Sequence, residues 1–268
     1  MKKGGQISIF IILGILIVGG VITIIITNGN VKESLTKFFS GKSGVSYKVD
    51  EVKKEIQRCL DISLEDSINV NAMSGGYFIL TDNFIFYNSD FDDMQRKVPY
   101  YLDDGARTIS VEELEKEMSS SMKDNFVSCF NPEKFDLNVS YDYGKMDIDT
   151  KFTKDKVLIE VKFPVGVSFG DDNFLLDNFE ISQESNYFAL YTFAKEITEF
   201  QNEQGNNLCL SCINDKAKKD GIKLKNQESY GVDENEWIII YYLIKYNEIT
   251  KKNEVFSFAH KFYRGENE

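Results

Sequence analysis

Ile7-Ser8-Ile9-Phe10-Ile11-Ile12-Leu13-Gly14-Ile15-Leu16-Ile17-Val18-Gly19-Gly20-Val21-Ile22-Thr23-Ile24-Ile25-Ile26 contains no charged residue. A helix of roughly twenty apolar residues spans the roughly 30 Å hydrocarbon core of a bilayer. Ser8 and Thr23 give it no polar face of the kind a surface helix needs. A cleaved secretory signal has an apolar core of only about 7–15 residues and a small-residue cleavage site. Thr27-Asn28-Gly29-Asn30 offers no such site. The stretch therefore reads as a retained transmembrane helix, and the fold divides around it.

Upstream stand Lys2 and Lys3, which favour the cytoplasmic side. Downstream, residues 28–48 read as a juxtamembrane helix or linker, with Val31, Leu35, Phe38 and Phe39 at helical spacing before Gly41-Lys42-Ser43-Gly44. The expected organisation is 1–27 for tail and membrane helix, 28–48 for the linker, and 49–268 for an extracytoplasmic α+β domain. A subdomain break near 131–136 is one option within the last. The implied location is the cell membrane, single-pass, with the N-terminus cytoplasmic. The bilayer is then the partner of residues 7–26.

Gly4-Gly5-Gln6-Ile7-Ser8-Ile9-Phe10, behind two lysines, resembles the archaeal prepilin-like (class III) signal. That resemblance implies cleavage between Gly5 and Gln6, retention of the apolar helix, and a helix that packs in a filament core. Phe10 stands where the family carries a glutamate associated with filament assembly. The whole layout also resembles uncharacterised, singly anchored surface proteins of small-genome archaea. The matching features are Arg58-Cys59-Leu60, Gly75-Gly76-Tyr77, Val98-Pro99-Tyr100-Tyr101-Leu102 and Phe163-Pro164-Val165. That second resemblance implies no activity.

The chain has 268 residues and a net charge of −12, with 14 Tyr and 21 Phe. Its length suffices for a substantial core, and its aromatic content is not that of a disordered stalk. The acidity argues against nucleic acid as a partner, because nucleic-acid binders carry a basic face.

Periodicity predicts an α+β fold of antiparallel β-sheet with packed helices. Val49, Val52, Ile56, Cys59, Leu60, Leu64 and Ile68 form one helical stripe. Val111, Leu114, Met118, Met122, Phe126 and Cys129 form another, opened by a Ser110–Glu113 capping-box pattern. Leu190, Phe193, Ala194, Ile197 and Phe200 form a third, and 209–220 reads as a short helix. Tyr77–Leu80 and Phe84–Tyr87 read as the arms of a hairpin. Segments 137–143, 146–152, 157–163, 165–169 and 174–181 read as a meander. Trp237–Ile244, apolar on both faces, reads as a central covered strand.

Four cysteines in an exported domain suggest disulfides. Cys59 and Cys129 either bridge their two helices or remain buried thiols. Cys209-Leu210-Ser211-Cys212 reads as a structural bridge, a thiol-disulfide site, or half of a metal site that would need Cys59 and Cys129 as well. His260, the single histidine, lies on an apolar strand face and reads as a core residue. The acidic pairs Asp92-Asp93, Asp103-Asp104 and Asp171-Asp172 read as solvated turns. Asn138-Val139-Ser140 is a glycosylation sequon. No catalytic constellation, metal-ligand set or cofactor motif emerges. The expected function is a membrane-anchored extracytoplasmic structural or interaction protein, a pilin-like subunit being its sharpest form. It would self-associate or bind other surface proteins. The alternatives are a non-polymerising receptor and a thiol-disulfide enzyme.

Overall fold

The computed structural model describes residues 43–80, 82–88, 95–205, 207–230 and 235–263. The apolar stretch 7–26, the Gly5–Gln6 junction and the acidic pair at 92–93 lie outside these. Among the described residues, no helix is long and apolar enough to cross a membrane. Two compact units meet at Lys53/Lys54. That boundary falls inside helix α1 (Ser43–Met73). Residues Lys54–Glu268 form one unit, which runs through 131–136 undivided. That span holds a single 3₁₀ turn, Pro132–Lys134, whose Pro132 is buried.

This unit is α+β. One sheet has the order β1-β2-β9-β8-β7, from β1 (Phe84–Asn88), β2 (Gln95–Leu102), β7 (Lys223–Tyr230), β8 (Glu236–Asn247) and β9 (Lys252–Tyr263). All its pairs are antiparallel except β2 with β9, which run parallel with Tyr100 opposite Ala259. The other sheet contains β3 (Asn138–Tyr141), β4 (Asp147–Phe152), β5 (Lys156–Phe169) and β6 (Asp172–Glu184). Here β5 is the centre. β4 pairs with its first half and β3 with its second, while β6 follows almost its whole length on the opposite edge.

Two expectations change. The hairpin partner of β1 is β2, with Phe84 opposite Pro99. Tyr77–Leu80 forms no strand, because the amides of Phe78 and Ile79 donate to Glu117 Oε2 at 2.7 and 3.2 Å. The meander is also rearranged: 157–163 and 165–169 are one strand, and β3 and β4 share an edge of it instead of pairing together. The register against β6 shifts between Lys162 and Val165. Pro164, which has no N–H to donate, sits in that irregularity, where a strand tolerates proline.

The predicted stripes face inward. Ile56, Cys59, Leu60, Leu64 and Ile68 of α1 are buried, as are Leu114, Met118, Met122 and Phe126 of α2 (Val111–Cys129). The Ser110 cap is a full capping box. α2 lies on β4. Its Ser119 hydroxyl meets that of Thr150 at 2.7 Å, and Lys123 Nζ donates to the Met146 carbonyl at 2.9 Å. α3 (Tyr187–Gln204) contacts β5 of one sheet and β2, β8 and β9 of the other. Phe188 stacks on Phe152 of β4, and Tyr187 and Tyr191 meet Phe256 of β9. α4 (Leu210–Lys219) packs on β7 through Ile213 and Ala217. Val157, Ile159, Val161 and Phe163 share the buried face of β5, alternating with exposed residues.

The turn after α1 is a joint of this core. Gly75 has φ +56°, a left-handed conformation that costs an L residue about 1–2 kcal/mol. A Cβ there would stand 2.5 Å from Pro99 Cγ and 3.0 Å from the Ser257 carbonyl oxygen. Tyr101 donates its hydroxyl to the Gly75 carbonyl at 2.8 Å. Gly221, at φ +67°, has nothing within 4 Å of the same position. Gly221→Ala should therefore cost only the conformational penalty, and Gly75→Ala should cost about 1–3 kcal/mol more for displaced packing. Urea unfolding of the two variants measures the difference. Equal losses would contradict the packing described here.

Candidate functional site

The four cysteines form two disulfides of different character. Cys59–Cys129 joins α1 to α2 with Cα atoms 5.6 Å apart and a sequence separation of 70. Cys59 is fully buried. Arg58 Nη2 lies 3.6 Å from one sulfur and 3.7 Å from the other. Arg58 also pairs with Glu55 at 2.6 Å, and Lys134 bridges to the same carboxylate. Arg58 first, then Lys134, holds the Glu55 carboxyl down at about 2. By loop-closure entropy, a link of this separation is worth about 4 kcal/mol, and one closing only a helical turn about 2 kcal/mol.

The shorter link is Cys209–Cys212, with a separation of 3. It sits at the start of α4. Cys209 is the N-cap residue, and its sulfur accepts the Cys212 amide at 3.3 Å. Cys209 is half-buried and Cys212 is exposed. The metal reading of these cysteines is replaced by the two bridges, since each sulfur is already bonded.

His260 is wholly buried beneath α3. The Thr198 hydroxyl donates to the Ala194 carbonyl at 2.8 Å, so its oxygen accepts from His260 Nε2 at 2.9 Å. That fixes the Nε2–H tautomer and leaves Nδ1 bare. Burial pushes the imidazole down to about 3. It is a neutral core donor.

Asp103 is more than a solvated turn residue. With Glu236 it flanks Lys261, whose Nζ lies 3.6 Å from Asp103 Oδ1 and 3.4 Å from Glu236 Oε1. Tyr263 donates its hydroxyl to Asp103 at 2.8 Å, and the lysine stands 4.7 Å over the Tyr100 ring. Three separate elements supply this cluster, so no sequence window contains it. Tyr100 also lines a cleft of about 280 Å³ with Tyr77, Asp82, Asn83, Pro99 and Arg107. Burial, reinforced by Glu236 and Asp103, pushes the Tyr100 phenol up to about 12, so it remains a donor at neutral pH. The cleft is lined by rings, a carboxylate and a guanidinium. Asp171 and Asp172 lie at the β5–β6 turn, and Asn138 is exposed on β3. Among the described residues, no group of three or more His, Cys, Asp or Glu could hold a metal ion.

No known family model, curated protein or solved structure matches the chain.

The buried imidazole gives a pH signature. The unfolded chain takes up a proton near the ordinary 6.5, whereas folded His260 resists protonation down to about 3. Its contribution to stability is therefore full above pH 6.5 and declines as pH falls toward 3. Glu55, depressed from 4.5 to about 2, adds a loss only below 4.5. Urea unfolding between pH 6.5 and 4.5 should show falling stability in the native chain and a flatter profile in His260→Gln. Parallel profiles would contradict a neutral buried histidine.

Proposed function

We propose that this protein is a membrane-anchored extracytoplasmic interaction protein with a pilin-like N-terminal segment. Residues 7–26 provide the anchor, and the α+β unit is displayed outside the membrane. The observation that carries this reading is the pairing of all four cysteines in two disulfides. Disulfides persist in oxidising, extracytoplasmic surroundings and are rare in the cytosol. The uncharged run 7–26 behind Lys2 and Lys3 supports it independently, and so does the acidic character of the remainder. Phe10 at the family's glutamate position favours a subunit or receptor that displays its domain without building a filament. The cleft around Tyr100 and Arg107 supports the receptor form in particular.

Mass measurement and N-terminal sequencing of the membrane-extracted native protein test the proposal. The expected chain starts at Gln6 and resists extraction by alkaline carbonate. A start at Met1 or Lys2 would remove the pilin-like element, and a start beyond Ile26 would remove the anchor.

A further inference from the structure

We propose that Cys209–Cys212 is an exchangeable disulfide that oxidises peptide or protein dithiols, and that Cys212 is the sulfur attacked. This goes beyond the anchored-surface reading and requires only that the site meet thiols.

Three features carry it. First, the pair is accessible and lopsided: Cys212 is exposed while Cys209 is half-buried. A thiolate reaches the outer sulfur more easily, and access is one of the controls on exchange. Second, the inner sulfur is the better leaving group. Cys209 caps α4, its Sγ accepts the Cys212 amide at 3.3 Å, and Ser211 Oγ lies 3.7 Å away. The positive end of the helix and these donors stabilise charge on that atom. Third, the pair closes only one turn, while Ile213 and Ala217 of α4 remain buried against the sheet. Its opening leaves the packing of α4 in place. Cys59–Cys129 has the opposite character: it joins α1 to α2, Cys59 is fully buried, and Arg58 lies beside both sulfurs.

The exchange balances. A substrate thiolate attacks Cys212 Sγ, a new S–S bond forms, and the Cys209–Cys212 bond breaks with its electron pair on Cys209. The second substrate thiolate then attacks the substrate sulfur of this mixed disulfide and expels the Cys212 thiolate. The substrate dithiol leaves as a disulfide, and Cys209 and Cys212 take up two protons through solvent. A low-molecular-weight disulfide restores the pair by the reverse steps.

The full-length chain in detergent micelles is equilibrated with mixtures of reduced and oxidised glutathione, quenched in acid, alkylated and mapped by mass spectrometry. Reversible titration of Cys209–Cys212 is expected while Cys59–Cys129 remains oxidised. Brief exposure to reduced glutathione should place the adduct on Cys212. In Cys212→Ser, alkylation of Cys209 should follow an apparent pKa below the ~8.5 of a free thiol. A Cys209–Cys212 bridge as resistant as Cys59–Cys129 would overturn the proposal. So would an adduct on Cys209, or a Cys209 pKa at or above that of a free thiol.

Discussion

β2 and β9 pair in parallel, and this pairing constrains everything that lies between them in the chain. Parallel neighbours cannot be joined by a tight turn and need a crossover between them. Here the crossover carries α2, the whole β3–β6 sheet, α3, α4 and the strands β7 and β8. All of it must fold back so that Tyr100 meets Ala259. Tyr101 then fits against Phe256 and Phe258, and its hydroxyl holds the Gly75 carbonyl. Ser257 donates to the Met73 carbonyl, so the end of α1 is fixed to the same two strands. Gly75 is the residue that lets the backbone approach this closely.

Carboxylates do much of the remaining joining, which gives part of the chain's acidity a structural meaning. Glu117 holds the amides of Phe78 and Ile79. Glu254 accepts from the Ser185 hydroxyl, the Asn186 amide and the Asn247 side chain. It thereby caps the start of α3 from the β8–β9 hairpin. A carboxylate beside free helical amides is favoured by the helix dipole. The Asn186 side chain makes no such cap itself.

The local elements were legible in the sequence because their signals are local. Helical stripes revealed α2 and α3, though the stripe of α3 stops short of both ends of that helix, and the doubly apolar run placed β8. What was not legible depends on distance along the chain. Phe84–Tyr87 and Tyr77–Leu80 look alike as short apolar runs, and only Glu117, some forty residues on, decides which is not a strand. Pro164 reads as a break, yet β5 carries it at a shift in register. Thr198 and Gln201 are polar and still buried. Thr198 has its partner on β9, and Gln201 bonds carbonyls beyond the end of α3. At the candidate sites, the Cys-x-x-Cys was visible from its spacing, but its capping hydrogen bond and uneven exposure were not. Asp103, Glu236 and Lys261 come from three strand ends and carry no common motif.

A reading of the chain as an exported surface protein joins three levels: an uncharged span that would hold it in a bilayer, an acidic α+β unit, and covalent links suited to an oxidising side. The link between α1 and α2 reports compartment, because Cys59 is fully buried and burial of that sulfur slows later oxidation. Cells are quenched in acid, the precipitate is dissolved in denaturant at neutral pH with excess thiol-blocking reagent, and the Cys59 and Cys129 peptides are mapped. In an exported protein these two cysteines are recovered joined and unblocked. Recovery of both as blocked free thiols would place the folded unit on the reducing side and contradict that reading.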